Sequence, residues 1–153
     1  MRFTQAELQQ FRDRTVPDLL PDPLRLLFIG INPGLWTAAT GAHFARRGIG
    51  ISNLVPRASA RADELTAEEL AAAPARLDAL VAAHAPAVVA VLGVTAYRQA
   101  FGRPKAALGE QETPWPGTRL FVAPNPSGLN AHATLDSLAA DYRAAGAAAG
   151  LVD

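Results

Sequence analysis

The chain contains no cysteine and only one lysine, Lys105. Without cysteine it has no disulfide framework, no thiolate zinc site and no cysteine-ligated iron–sulfur cluster. The absence fits a reducing compartment, so we expect a cytoplasmic protein. Lys105 falls in a predicted surface loop, so no lysine is placed to form a Schiff base with a substrate.

Further absences bear on membranes and metals. No apolar run is long enough to span a bilayer, and residues 1–15 are too polar for a secretory signal. Thr4 followed by Glu7 predicts instead a capping box that opens a short helix. The histidines lack the spacing of metal ligands: His43, His84 and His132. We therefore expect no membrane contact and no bound metal.

Acidic residues are missing from one long stretch of the chain. No Asp or Glu lies between Asp22 and Asp63, whereas five arginines do: Arg25, Arg46, Arg47, Arg57 and Arg61. The stretch could form a basic face that holds phosphates, or it could be an ordinary solvated surface. The net charge of zero argues against a strongly basic nucleic-acid binder, and charge alone favours the ordinary surface.

A length of 153 residues, 50% of them hydrophobic, predicts one domain over residues 1–153 with a single core. Four segments have the character of strands: 24–31, 48–55, 87–93 and 118–124. Helical segments alternate with them: 65–83, where Pro74 divides the helix or starts its main part, 95–101 and 132–149. The last helix should place Leu135, Leu138 and Tyr142 on one face. This alternation predicts an α/β fold, a three-layer domain whose short, mainly parallel sheet of about four strands is flanked by helices.

The first connection between strands is unusually short. Parallel strands need about a dozen or more connecting residues, usually helical, and only residues 32–47 lie between Ile31 and Gly48. The first of these are rich in Pro, Gly and Thr, so a full helix does not fit. The sequence therefore predicts either a bare loop or a segment missing after Ala45.

Polar loops follow the predicted strands at the edge where ligand sites form in open α/β sheets. Strand one ends in Asn32-Pro33-Gly34, and strand four ends in Asn125-Pro126-Ser127. Asn-Pro and Pro-Gly are also common turn residues, so one such loop indicates only a turn. When two such loops lie on the same edge, a functional site and a pair of simple turns are equally good interpretations.

The same loops resemble those of a known family. Residues 30–35 (GINPGL), 40–45 (TGAHFA) and 125–129 (NPSGL) are similar to motifs of the mismatch-specific uracil/thymine DNA glycosylases of the uracil-DNA glycosylase superfamily. The resemblance runs from about Leu24 to about Tyr142 and includes residues 53–55 and 57–65. Either motif alone is weak, but the ordered pair at strand ends is specific.

This resemblance implies a monofunctional enzyme of base excision repair without lyase activity. It would flip a mismatched uracil out of the duplex and hydrolyse its N-glycosidic bond, with thymine and ethenocytosine as further candidate bases. Its partner would be double-stranded DNA with a G·U or G·T mismatch, met at the bacterial nucleoid. We expect no cofactor and a monomer.

The resemblance also implies roles for residues near the first motif. Asn32 would hold the hydrolytic water, and Phe44 would stack on the extruded base. Ile31 and the backbone of Phe44 would contact the base edge. Asn53 is a further base-binding candidate, at a position where members of the family vary.

In the second motif, Asn125 would approach the target nucleotide. Gly128 and Leu129 would form the wedge that fills the hole left in the duplex. Ser127 and Asn130 flank this wedge and are candidates for DNA contacts.

The chain departs from the family pattern in two places. The Asn-Arg-Phe-Trp-like run that usually follows the Phe44 loop is absent, at the point where the connection is already short. The segment 130–132 (NAH) stands where the family often has an Arg. Contacts to phosphates or to the opposite strand would then be weaker or would come from His132.

Asp63 is the first acid after the arginine-rich stretch. A carboxylate at this edge could accept a proton from the attacking water or stabilise an oxocarbenium sugar, which an amide does poorly. Alternatively, Asp63 caps the helix that starts near Leu65, or it pairs with Arg57 or Arg61.

Two other classes of function stay open. The first is a nucleotide- or phosphate-binding α/β domain with residues 30–34 at a helix N-terminus, although the chain lacks GxGxxG and a Walker-type Gly-Lys-Ser/Thr. The second is a non-catalytic nucleic-acid-binding module. Heating the DNA product in alkali would distinguish an enzyme from a binding module, because only an enzyme leaves abasic sites, and these break in hot alkali.

Overall fold

The computed structural model describes residues 4–34, 48–126 and 134–153. Its strands are β1 Leu26–Gly30, β2 Ile49–Asn53, β3 Val88–Leu92, β4 Gly109–Gln111 and β5 Arg119–Ala123. They form one five-stranded sheet in the order β2-β1-β3-β5-β4. All neighbours are parallel except β4, which pairs antiparallel with β5. The predicted α/β class with a mainly parallel sheet is confirmed.

The sequence did not predict β4. Its three residues, Gly-Glu-Gln, contain no apolar run, so no pattern separates the strand from a loop. β4 covers the outer edge of β5, where Glu110 Oε1 and Arg119 Nε form an ion pair at 2.7 Å.

The helices are α1 Gln5–Gln9, α2 Ala67–Ala71, α3 Ala73–His84, α4 Val94–Phe101 and α5 Leu135–Ala148, with a 3₁₀ turn at Ala62–Glu64. Thr4 and Glu7 form the predicted capping box of α1. Pro74 lies in the first turn of α3, where its missing N–H costs nothing. Pro74 therefore starts the main helix of this region. Of the helices that the structure describes, none is long and apolar enough to cross a membrane.

The sheet is buried on both faces because successive side chains of a strand point to opposite sides. One face packs against α2, α3 and α4 through Leu27, Ile29, Val89, Val91, Leu120 and Val122. The other packs against α5 through Leu26, Val88, Ala90 and Phe121. These two cores give the three layers that the alternation of elements predicts.

The helix α5 meets the sheet differently from the prediction. Leu135 is 85% exposed, and the helix buries Ala145 and Gly146 instead. Tyr142 is half-buried, with its ring edge-on to Phe28 at 5.8 Å between centroids. The predicted helical period of the apolar face is correct. The buried contacts come from the C-terminal half of the helix, so Leu135 is not a core residue.

β1 and β2 lie side by side, with Gly30 opposite Asn53. Their connection includes residues 35–47, which lie outside the described residues. The choice between a bare loop and a missing segment therefore stays a prediction.

Candidate active site

The loops that leave β1 and β2 are hydrogen-bonded to each other at the carboxyl edge of the sheet. Leu54 N–H donates to the carbonyl of Gly30 at 2.8 Å, and Val55 N–H donates to that of Ile31 at 2.9 Å. Ser59 N–H then donates to the Pro33 carbonyl at 3.4 Å. These bonds hold the loop after β1 against the segment after β2.

The side-chain amide of Asn32 is held by this segment. Its Nδ2 donates to Ser59 Oγ at 2.8 Å, to the Pro33 carbonyl at 3.2 Å and to the Arg57 carbonyl at 3.4 Å. Carbonyl oxygens only accept hydrogen bonds, so the nitrogen of the amide must lie on this side. Oδ1 is then the acceptor end of the Asn32 amide, and it lies on the side away from these three partners.

Charged side chains fix the segment that holds Asn32. Arg57 Nε pairs with Glu69 Oε1 at 2.7 Å, and Arg57 Nη1 pairs with Asp13 Oδ1 at 2.8 Å. The hydrogen bonds from Arg57 and from the Thr66 backbone lower the pKa of Glu69 to about 2. The hydrogen bonds to Glu69 and, to a smaller extent, to Asp13 raise the pKa of Arg57. Glu69 thereby joins this segment to the cap of α2.

Each arginine of the acid-free stretch that the structure describes has a hydrogen-bond or ion-pair partner. Arg57 is paired as above, Arg61 pairs with Asp63, and Arg25 donates to the neutral Gly150 carbonyl at 2.8 Å. The choice between a basic face and an ordinary surface stays a prediction. The other two arginines, Arg46 and Arg47, lie outside the described residues.

Gly93 brings the exits of β1 and β5 together. Its φ is +107°, and its N–H donates to the Ala123 carbonyl at 2.8 Å. A Cβ at this position would lie 3.4 Å from Ile31 Cδ1 and 3.7 Å from Asn125 Cβ. Ile31 and Asn125 line one cleft of about 340 Å³ together with Asn32.

Asn53 is the last residue of β2 and lies beside this cleft. It is half-buried, and a Cβ added to Gly30 would lie only 2.7 Å from Asn53 Oδ1. Gly30, which lines the cleft, therefore leaves room for the amide of Asn53. The structure brings four of the predicted site residues to this edge: Ile31, Asn32, Asn53 and Asn125.

Tyr142 anchors the second loop. Its hydroxyl donates to the Pro124 carbonyl at 2.7 Å, one residue before Asn125. Burial raises the pKa of the Tyr142 phenol, so the hydroxyl keeps its proton as donor. The sequence placed Tyr142 on the packed face of α5 but gave no signal for this bond.

Asp63 lies in the 3₁₀ turn, and it does not cap the next helix. Thr66 is the cap of α2, so the cap prediction is wrong, whereas the alternative that Asp63 pairs with Arg61 is confirmed. Asp63 accepts hydrogen bonds from Arg61 at 3.0 and 2.5 Å, and both side chains are exposed, at 62% and 70%. It lines a neighbouring cavity that shares Ile31 and Ala62 with the cleft of Asn32.

The remaining predicted residues lie outside the described residues: Phe44, Ser127, Gly128, Leu129 and Asn130. Within residues 4–34, 48–126 and 134–153, no group of three or more His, Asp or Glu side chains could hold a metal ion. A second concavity, lined by Tyr97, Arg103 and Lys105, lies at the C-terminal end of α4, away from these loops.

Two residues of the site were not predicted from the sequence. Ser59 and Glu69 both act on the segment after β2, Ser59 by accepting from Asn32 and Glu69 by holding Arg57. Ser59 had one usable signal, since it follows a strand whose carboxyl end lies at the same edge as Asn32. For Glu69 the signal was its place in the capping box with Thr66.

A three-layer α/β fold with a polar cleft built from loops at the carboxyl edge of its parallel strands is typical of enzymes that bind their substrate at this edge. The sequence model of the Uracil DNA glycosylase superfamily matches residues 17–145, and the chain belongs to this superfamily. The predicted superfamily is thus confirmed. Membership defines a glycosylase-type hydrolase of base excision repair whose substrate is DNA.

Replacing Gly93 with alanine should damage the cleft as well as the fold. The left-handed φ disfavours any side chain, so we expect a loss of about 1 kcal/mol or more in the free energy of unfolding. The new methyl would also contact Ile31 and Asn125, which line the cleft. Base excision should fall too. Gly102→Ala is the matched control, because Gly102 has a φ of +61° but no atom within 4 Å of its Cβ position. Stability is measured by urea unfolding and activity by single-turnover excision. We expect excision to fall in Gly93→Ala but not in Gly102→Ala. Similar excision rates in the two variants would contradict the role of Gly93 in the cleft.

The lowered pKa of Glu69 predicts a pH dependence of stability. Because its folded pKa of about 2 lies below the ordinary value of 4.5, the stabilisation is complete above pH 4.5 and is lost as the pH falls towards 2. Glu69→Gln should therefore be less stable at neutral pH, with a flatter pH dependence between 4.5 and 2. Glu68→Gln is the matched control, because it removes a neighbouring exposed charge of the same helix turn. The free energy of unfolding is measured by chemical unfolding across this pH range. Parallel curves for Glu69→Gln and the parent would refute the assignment of this pH dependence to Glu69.

Proposed function

We propose that the protein is a monofunctional uracil-DNA glycosylase directed at mismatches, with G·U duplex DNA as its main substrate. Thymine opposite guanine and ethenocytosine are further candidate bases. It acts as a monomeric single domain without metal or cofactor. The observation that carries the proposal is the amide of Asn32, fixed at the carboxyl edge with Oδ1 as its acceptor end.

The proposed substrate preference follows from the cost of base flipping. A base inside a duplex is out of reach, and extruding it costs about a few kcal/mol, least for a mismatched base. Gly128 and Leu129 would keep the flipped state open by filling the gap, with Ser127 and Asn130 beside them. These four roles rest on the resemblance in the second motif.

The chemistry proposed for Asn32 is positioning. An amide is not a base at neutral pH, so Asn32 does not deprotonate water. The bond between C1′ and the base nitrogen breaks first, the pair of electrons leaves with the base, and the sugar becomes oxocarbenium-like. The water held by Oδ1 then attacks C1′, and its proton passes to solvent or to a nearby carboxylate.

Base recognition would involve several groups in and beside the cleft. Ile31 and Asn125 line it, and Asn53 carries an amide with both donor and acceptor at the end of β2. The Ile31 carbonyl already accepts from Val55 N–H, so the group of Ile31 that we assign to the base is its side chain. Phe44 would stack on the base face, as the resemblance implies.

The activity assay uses a labelled G·U duplex followed by alkaline cleavage, with A·U, G·T and single-stranded uracil for comparison. We expect uracil release in EDTA, fastest from G·U, and slower release by Asn32→Ala by roughly 100-fold or more, about 3 kcal/mol, with duplex binding retained. The rate should be measured in a single turnover, so that product release does not mask it.

Several outcomes of this assay would count against the proposal. Activity that is lost in EDTA and restored by a divalent ion would refute the cofactor-free mechanism. Equal excision rates on G·U duplex, A·U duplex and single-stranded DNA would refute the proposed preference for mismatches. If Asn32→Ala stayed within a few-fold of the parent, Asn32 would be only a turn residue.

Asp63 is a candidate for the group that accepts the water proton, and its ion pair with Arg61 is the competing explanation. In Asp63→Asn we expect excision within a few-fold of the parent, because the carboxylate is exposed and already paired. A loss of about tenfold or more, with disappearance of the acidic limb of the pH–rate profile, would instead assign it a catalytic role.

A further inference from the structure

Ser59 forms a hydrogen-bond chain whose direction is fixed. Its Oγ donates to the Arg61 carbonyl at 2.7 Å and accepts from Asn32 Nδ2 at 2.8 Å. Ser59 is 2% exposed. A hydroxyl has one proton, and because the Arg61 carbonyl takes it, only the oxygen of Ser59 is left to face Asn32.

The direction of this chain adds to the two carbonyl acceptors in deciding which end of the Asn32 amide faces the cleft. The two ends of an amide have nearly the same shape, so packing alone does not distinguish them. A water that donates to Oδ1 keeps its lone pairs for attack on C1′, whereas a water that accepts from Nδ2 uses one of them. The first orientation therefore suits a hydrolytic water better, because it leaves both lone pairs free and makes the water oxygen more electron-rich.

Of the three acceptors around Nδ2, Ser59 is the closest. The other two, the carbonyls of Pro33 and Arg57, lie at 3.2 and 3.4 Å. We propose that Ser59 is a positioning residue for catalysis, which orients the Asn32 amide so that Oδ1 holds the attacking water. This inference rests on the water-holding role of Asn32 in the proposed function.

The backbone around Ser59 is held independently of its hydroxyl. Asp13 N–H donates to the Ala58 carbonyl and Ala58 N–H donates to the Arg14 carbonyl, both at 2.9 Å. Arg57 is fixed by its ion pairs, and Ser59 N–H bonds to Pro33. The segment should therefore keep its path in Ser59→Ala, so that the variant loses the hydroxyl and little else.

The test compares single-turnover excision and duplex affinity in Ser59→Ala, Ser59→Thr and Asn32→Ala. We expect Ser59→Ala to lose about tenfold or more in rate with unchanged affinity, and Ser59→Thr, which keeps a hydroxyl, to recover most of it. Ser59→Ala should add no further loss to Asn32→Ala, because both act on the same water.

Ser52→Ala is the matched control. Ser52 is also a buried serine, 0% exposed, and its Oγ bonds to Asp18 and Arg76, away from Asn32. We expect this variant to lose stability and to keep its excision rate. An equal loss of rate in both variants, a Ser59→Ala rate within twofold of the parent, or an additive loss in the double variant would overturn the proposal.

A spectroscopic measurement separates this inference from the proposed function. In the parent protein and in Ser59→Thr, the Asn32 Nδ2 protons should be protected from exchange in NMR spectra. In Ser59→Ala they should exchange faster. Unprotected protons in the parent would refute the hydrogen-bond chain, even if Ser59→Ala fails to fold. A parent that keeps this protection but releases no uracil from any duplex would refute the proposed function instead.

Discussion

The hydrogen-bond ladder between β1 and β2 continues past the ends of both strands, and the cleft depends on this continuation. An Asn-Pro-Gly loop has one backbone donor fewer than it has carbonyls, because proline has no N–H to donate. The segment after β2 supplies the donors, from Leu54 and Val55 and then from Ser59. Each such bond contributes only about 0.5–1.5 kcal/mol net, but together they fix where the loop runs.

The second loop is placed by contacts of another kind. β1 and β5 are not neighbours, since β3 lies between them, so no ladder joins their exits. Gly93 at the end of β3 has no side chain to separate Ile31 from Asn125, and Tyr142 ties the β5 exit to α5. One cleft thus combines a loop after β1 that is held by backbone hydrogen bonds with a β5 exit that is held at Ala123 by Gly93 and at Pro124 by Tyr142.

Much of this arrangement could be predicted from the sequence, because it follows from local patterns. Apolar runs marked the four parallel strands, and their shared direction placed Asn32 and Asn125 at one edge. The partners of Asn32 could not be predicted in this way. Ser59 is 27 residues away from Asn32, and only the register of β1 with β2 brings the two together. The exposure of Leu135 was also beyond local pattern, since a helical period gives a face but not the part of the helix that meets the sheet.

The short strand β4 affects how easily copies of the protein can associate through the edge of the sheet. A parallel sheet that ended at β5 would expose a row of unpaired N–H and carbonyl groups beside four buried residues, which is a template for strand addition. β4 occupies that row for three residues with reversed direction, and the Glu110–Arg119 pair puts charge on the new rim. The outermost strand is thereby too short and too polar to recruit another chain, which protects the sheet against edge-to-edge aggregation.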